Sequence, residues 1–128
     1  MSLSHSKMDN KRIFYLIMTF LVAIEIFLFS NVPSQVGIDA KLNLAAMYHF
    51  GIFFMFTFFL SLTLKKNKID KKTVLIILSI SLIYAMFDEF HQLFVPGRFS
   101  DIRDILVDLC GSVLSVVMIK IIERFNKL

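Results

Sequence analysis

The chain alternates long apolar runs with short polar stretches. Ile13 to Val32 follows Lys11 and Arg12, Leu44 to Leu64 comes next, then Val74 to Phe87 and finally Ile105 to Ile122. A helix needs about 20 residues to cross a bilayer's hydrocarbon. The third run, 14 residues long, reaches that length only if its helix continues to about Val95, carrying Asp88, Glu89 and Gln92 with it. Pro96-Gly97 then stops it. The fourth helix starts near Ser100 or Asp101, either of which can cap its first N–H groups. The pattern predicts an all-α fold: a polytopic bundle of four transmembrane helices near 13–32, 44–64, 74–95 and 101–122, in one domain over residues 1–128. Length carries this reading, because runs apolar on every side have little amphipathic moment. The start resembles a signal peptide, but the apolar run is too long and lacks a small-x-small cleavage site.

Composition fixes the solvent. With 57% hydrophobic residues in 128 and a mean hydropathy of +0.74, a soluble domain of this length could not hide its apolar surface. The single cysteine, Cys110, permits no intrachain disulfide and no Cys-based zinc knuckle.

The net charge of +4 could suggest nucleic acid, but its placement argues for a membrane. Lys7, Lys11 and Arg12 precede the first run. Lys65, Lys66, Lys68, Lys71 and Lys72 fill the middle loop, and Lys120, Arg124 and Lys127 end the chain. Only Lys41, Arg98 and Arg103 lie in the other two connections, eleven basic residues against three. The positive-inside rule then puts both termini and the lysine loop in the cytoplasm, and the connection after the third helix outside. The expected partner is membrane lipid and not nucleic acid. The lysine loop is foremost a topology signal, with anionic headgroup binding as the lesser reading. The oligomeric state stays open.

The chemistry gathers in Phe87–Gly111, which holds Asp88, Glu89, Asp101, Asp104 and Asp108, five of the ten acids, with His91, Gln92, Arg98 and Arg103. Ionisable residues inside membrane helices are costly and are functional candidates by default. Positions three and four apart share a helix face. Ser81, Tyr84, Asp88 and Gln92 therefore form one stripe, with Glu89 on its flank; Asp101, Asp104, Asp108, Gly111 and Ser115 form another. Lipid satisfies neither, so the two should face each other. At about 1.5 Å per residue, Glu25, His49, Asp88 and Asp108 fall at a similar depth, about 8–10 Å below the outer ends of their helices. Four helices thus point to one shared, outward-open polar pocket.

These residues resemble the VanZ family of small bacterial membrane proteins. The likeness rests on Phe29-Ser30, His49-Phe50, Asp88-Glu89-x-x-Gln92, Pro96-Gly97-Arg98, Ser100, Asp104, Asp108 and Gly111. Asp108 departs from the pattern, where the family often has Asn. The resemblance implies a protein of the bacterial cytoplasmic membrane and cell envelope, linked to lowered susceptibility to teicoplanin-type glycopeptides.

Each candidate also has a plainer reading. Asp88 and Glu89 are an acid/base pair or metal ligands, or else they pair with Arg98 at a helix end. His49 is a ligand or proton carrier, or a buried neutral imidazole. His91 is more interfacial. Glu25 pairs with Lys41, is protonated, or takes part directly. Arg98 binds an anion or clamps the hairpin. The Phe-rich face of the second helix packs or meets lipid, and Gly111 with Ser115 marks close helix packing. The leading expectation is a pocket that engages a lipid-linked or cell-wall anionic group, with Gln92, Arg98, Asp104, Asp108 and Glu25 binding substrate. One alternative is an intramembrane hydrolase or transferase with His49, Asp88 and Glu89 as catalytic groups and a divalent metal on His49, Asp88 and Asp108. Carboxylate-rich sites of that kind favour Mg²⁺, Mn²⁺ or Ca²⁺. Another is a proton- or cation-coupled carrier. No cofactor besides that metal is expected, and no GxSxG, HExxH, Walker or CxxC motif occurs.

Overall fold

The structure, a computed structural model, describes residues 9–33 and 38–126, without the side chains of 38–43. It contains four helices: α1 (Asn10–Ser30), α2 (Ile38–Leu64), α3 (Lys71–Gln92) and α4 (Ile102–Phe125). All four are long and apolar enough to cross a membrane. Large apolar side chains such as Phe14, Phe20, Leu75, Ile83, Phe94 and Ile102 stand exposed around the bundle, the surface expected where lipid is the solvent. The expected all-α four-helix membrane bundle is therefore present.

The boundaries differ from the apolar runs in a consistent way. α1 begins three residues early, through Lys11 and Arg12, and α4 continues through Glu123 and Arg124. Hydropathy detects the part of a helix that lies in hydrocarbon, whereas charged residues of good helix propensity carry the helix on into the interface. α3 ends at Gln92 and not at Val95. Leu93, Phe94 and Val95 donate to carbonyls three residues back, a tightened final turn. Pro96 then disfavours helix at the residue before it.

The termini of α3 and α4 carry the caps their sequences offer. Asp70 accepts from the Thr73 N–H at 2.8 Å, and the Thr73 side chain together with that N–H holds its carboxyl below the usual value of 3.8. Asp101 accepts from the Arg103 N–H at 2.9 Å and is the N-cap of α4.

The helices form a rhombus. α2 packs most extensively on α4, then on α1; α3 packs on α4; α2 and α3 meet across the short diagonal. Among the described residues the backbones of α1 and α4 stay apart. The close approach of α2 and α4 is set by Gly111, where a Cβ would overlap the Phe50 carbonyl oxygen and lie 3.2 Å from Phe54 N. Below this contact the core turns polar. Thr57 Oγ1 lies 2.9 Å from both Ser81 Oγ and Ser112 Oγ, joining α2, α3 and α4. Such interhelical bonds contribute on average about 0.6 kcal/mol each in a membrane.

At the end that carries the lysine loop, Lys65 Nζ lies 2.8 Å from Glu123. Arg12 Nε donates to the Thr63 carbonyl at 3.0 Å. At the other end the α3–α4 turn packs on the segment after α1. Gly97 has φ +80°, and a Cβ there would meet Pro33 at 3.3 Å. The positive φ and the close neighbour both require glycine.

Candidate functional site

Both polar stripes turn into the bundle, and their charged ends gather near the α3–α4 turn, where Asp108 bonds to α2 and Asp88 to α1. Asp88, Glu89 and Gln92 of α3, Asp108 of α4 and His49 of α2 are all buried. His49 joins α2 to α4. Its Nδ1 lies 2.9 Å from Asp108 Oδ1, and its Nε2 lies 3.8 Å from Asp104 Oδ2. Asp104 and Asp108 are one turn apart, so a single helix face brackets the ring. With Asp108 accepting, Nδ1 carries the proton and Nε2 of the neutral ring keeps its lone pair. A carboxylate behind an imidazole in this way fixes tautomer and ring orientation at metal sites.

On α3 the carboxylates are held from several sides. Gln92 Nε2 donates to Asp88 Oδ2 at 2.9 Å and to Glu89 Oε1 at 3.4 Å. Glu89 Oε2 accepts the Asp101 N–H at 2.9 Å, so the acid also secures the start of α4. Ser30, the last residue of α1, donates its hydroxyl to Asp88 Oδ1 and lies 2.8 Å from the Ile26 carbonyl. One hydroxyl proton serves two acceptors there.

Arg98 does not pair with these acids. Its Nε donates to the Ser30 carbonyl at 3.2 Å and its Nη2 to the Phe29 carbonyl at 2.8 Å. The last carbonyls of a helix lack intrahelical donors and carry the negative end of its dipole, and the guanidinium meets both needs. Arg98 thus clamps the α3–α4 turn onto α1. Arg98→Ala is expected to lower stability by about 1.5–3 kcal/mol, the usual contribution of hydrogen bonds to a charged group. Denaturant unfolding in detergent reads this directly, and Arg98→Lys should recover only part of it, since an ammonium lacks the guanidinium's fork.

Ligand atoms from His49, Asp88 and Glu89 lie within 4.8 Å of one another. The chemistry of that donor set, one imidazole and two carboxylates, fits a divalent cation. The expected metal set of His49, Asp88 and Asp108 shares two members with this group; Asp108 lies 2.9 Å from His49 Nδ1, and Glu89 is the third member of the group. Asp108 Oδ2 is buried without a hydrogen-bond partner among the described residues.

Glu25 does not join the cluster. Its side chain is exposed on α1, within electrostatic reach of Tyr48. Thr19, Val22, Ile26 and Ser30 form the buried face of α1, and Glu25 projects about 100° away from Ile26. The suggested pairing of Glu25 with Lys41 lies outside the described side chains. His91 is half-buried and lies against Phe27, with ring centroids 4.7 Å apart and the rings tilted by 35°, outside the His49–Asp88–Glu89 group.

Two members of the site escaped the sequence reading. Ser30 was noted only in the resemblance, yet its position three residues before Pro33 puts a hydroxyl at the C-terminal end of α1. Tyr48, beside His49, stacks on Phe29 at 5.1 Å. Its hydroxyl is buried without a partner among the described residues, within electrostatic reach of Asp88 and Arg98 as well as Glu25. An aromatic in a Phe-rich helix gave no signal for this.

No curated protein and no solved structure matches the chain. The model of the VanZ/LLP1 family matches residues 2–123. With four membrane-length helices and nearly the whole sequence within that match, the chain belongs to the VanZ/LLP1 family of membrane proteins.

Proposed function

We propose that the His49–Asp88–Glu89 cluster opens to the extracytoplasmic side of the bacterial cytoplasmic membrane and engages an anionic group of a lipid-linked or cell-wall component, lowering susceptibility to teicoplanin-type glycopeptides. The observation that carries this reading is the buried convergence of His49, Asp88, Glu89 and Gln92, with Asp108 behind the imidazole. Charge dictates how such a site must work. Asp88, Glu89, Asp104 and Asp108 surround one histidine, while Arg98 is engaged by the Phe29 and Ser30 carbonyls. So many carboxylates repel an anion. A divalent cation held by His49, Asp88 and Glu89 would offset their charge and offer a coordination position to an anionic oxygen. Asp108 orients the ring, Gln92 and Ser30 hold Asp88, and the Asp101 N–H holds Glu89.

A metal-holding group is common to this binding reading and to the hydrolase alternative; product release from a lipid-linked substrate separates them. The sidedness rests on the distribution of lysine and arginine. In a Cys110→Ser background, impermeant thiol reagents applied to intact cells should modify Ile38→Cys and spare Lys68→Cys; the reverse pattern sinks the topology. Deleting the gene should raise susceptibility to teicoplanin, and the wild-type gene but not Asp88→Asn should restore resistance. Unchanged susceptibility on both deletion and overexpression would overturn the function.

A further inference from the structure

The end of the bundle opposite the acidic cluster holds a second polar feature. Lys68, Ile69, Lys120, Glu123 and Arg124 line a cleft of about 400 Å³ between the α2–α3 loop and the last turns of α4. Glu123 builds it. Its carboxylate lies 2.8 Å from Lys65 Nζ and accepts the Ile69 N–H at 3.2 Å, which fixes the loop beside α4 and uses up the acid's charge. Ile69 is buried beneath the cleft.

Lys120 and Arg124 stand four residues apart on one helix face and have no hydrogen-bond or ion-pair partner among the described residues. A helix C-terminus favours cations, but like charges at this spacing repel. Their juxtaposition beside a cleft whose acid is already paired selects for an anion between them. α4 is membrane-spanning by length and composition, so its last turns lie at the level of lipid headgroups.

We propose that this cleft binds the phosphate group of an anionic phospholipid, with Lys120 and Arg124 as its principal ligands. Arg124 supplies a planar fork for two phosphate oxygens and Lys120 a point charge. The bound lipid ties the α2–α3 loop to the end of α4. The site is separate from the acidic cluster and does not depend on its function.

The chain has no tryptophan, so Phe125→Trp gives a single fluorescent reporter next to Arg124. That protein is reconstituted in phosphatidylcholine vesicles containing increasing fractions of either brominated phosphatidylglycerol or brominated phosphatidylcholine. Quenching should favour phosphatidylglycerol by about fivefold or more, the effect of one basic side chain at an anionic surface. Lys120→Gln with Arg124→Gln should remove the preference, while Lys11→Gln with Lys72→Gln, which changes the general surface charge equally, should keep it. Equal quenching by the two lipids, or the same loss in both double variants, overturns the proposal. Abolition of the preference by millimolar inorganic phosphate in the parent protein also overturns it and identifies a site for a soluble anion.

Discussion

Gly111→Ala is expected to destabilise the bundle by about 1–3 kcal/mol, the usual cost of overpacking. The new methyl group overlaps the Phe50 carbonyl oxygen and crowds Phe54 N. These are backbone atoms of a helix and cannot swing aside as a side-chain terminus could, so α2 and α4 must separate. That separation acts on the site as well, because Phe50 follows His49, and Asp108 lies less than one turn before Gly111. Gly51→Ala is the control. Nothing lies within 4 Å of a Cβ at that position, and alanine is the better helix former by about 1 kcal/mol. Thermal or denaturant unfolding in detergent should therefore show Gly111→Ala below the parent and Gly51→Ala level with it or above. Equal behaviour of the two variants would mean that α2 and α4 are not in the close contact described.

Replacing His49 by alanine should produce the other large effect. The imidazole is the only nitrogen ligand in the cluster and the hydrogen-bond partner of Asp108. Removing one partner of a buried hydrogen bond commonly costs about 1–3 kcal/mol, and more where the group left unsatisfied is charged. Asp108, which is fully buried, would be that group. His49→Ala combined with Asp108→Ala should recover much of the lost stability, since it removes both members of the pair, without recovering cation binding. Asp88→Asn separates the two effects differently. The amide keeps the shape: its oxygen accepts from Gln92 and its NH2 donates to the Ser30 hydroxyl, which keeps its own bond to the Ile26 carbonyl, so its stability should stay near that of the parent while cation binding falls.

The polar stripes were readable because helical spacing alone sorts Ser81, Asp88 and Gln92 onto one face and Asp104, Asp108 and Ser115 onto another. Lipid satisfies neither, so both turn into the bundle. The level of His49 was readable too, because helix rise is regular.

Glu25 shows where that argument stops. Depth fixes a residue's level but not the rotation of its helix, and one polar residue defines no stripe. The spacing of Thr19, Val22, Ile26 and Ser30 identifies the inward face of α1 once the two small hydroxyl residues are read together with the aliphatic ones. Arg98 was weighed between an anion and an acid as partner, yet it donates to backbone carbonyls. Every helix has such orphan carbonyls at its end, so no residue type advertises them. That Glu89 lies with His49 and Asp88 depends on helix rotation and side-chain rotamers, which spacing along the chain does not give.

The most direct test is the divalent-ion content of purified protein after loading with Zn²⁺, Mn²⁺ or Mg²⁺ and dialysis, measured alongside helical circular dichroism. The account predicts about one ion per chain for the wild type. It predicts loss of that ion in Asp88→Asn and His49→Ala with helicity retained. Absence of bound ion after all three loadings, or equal ion content in the wild type and both variants, would contradict it.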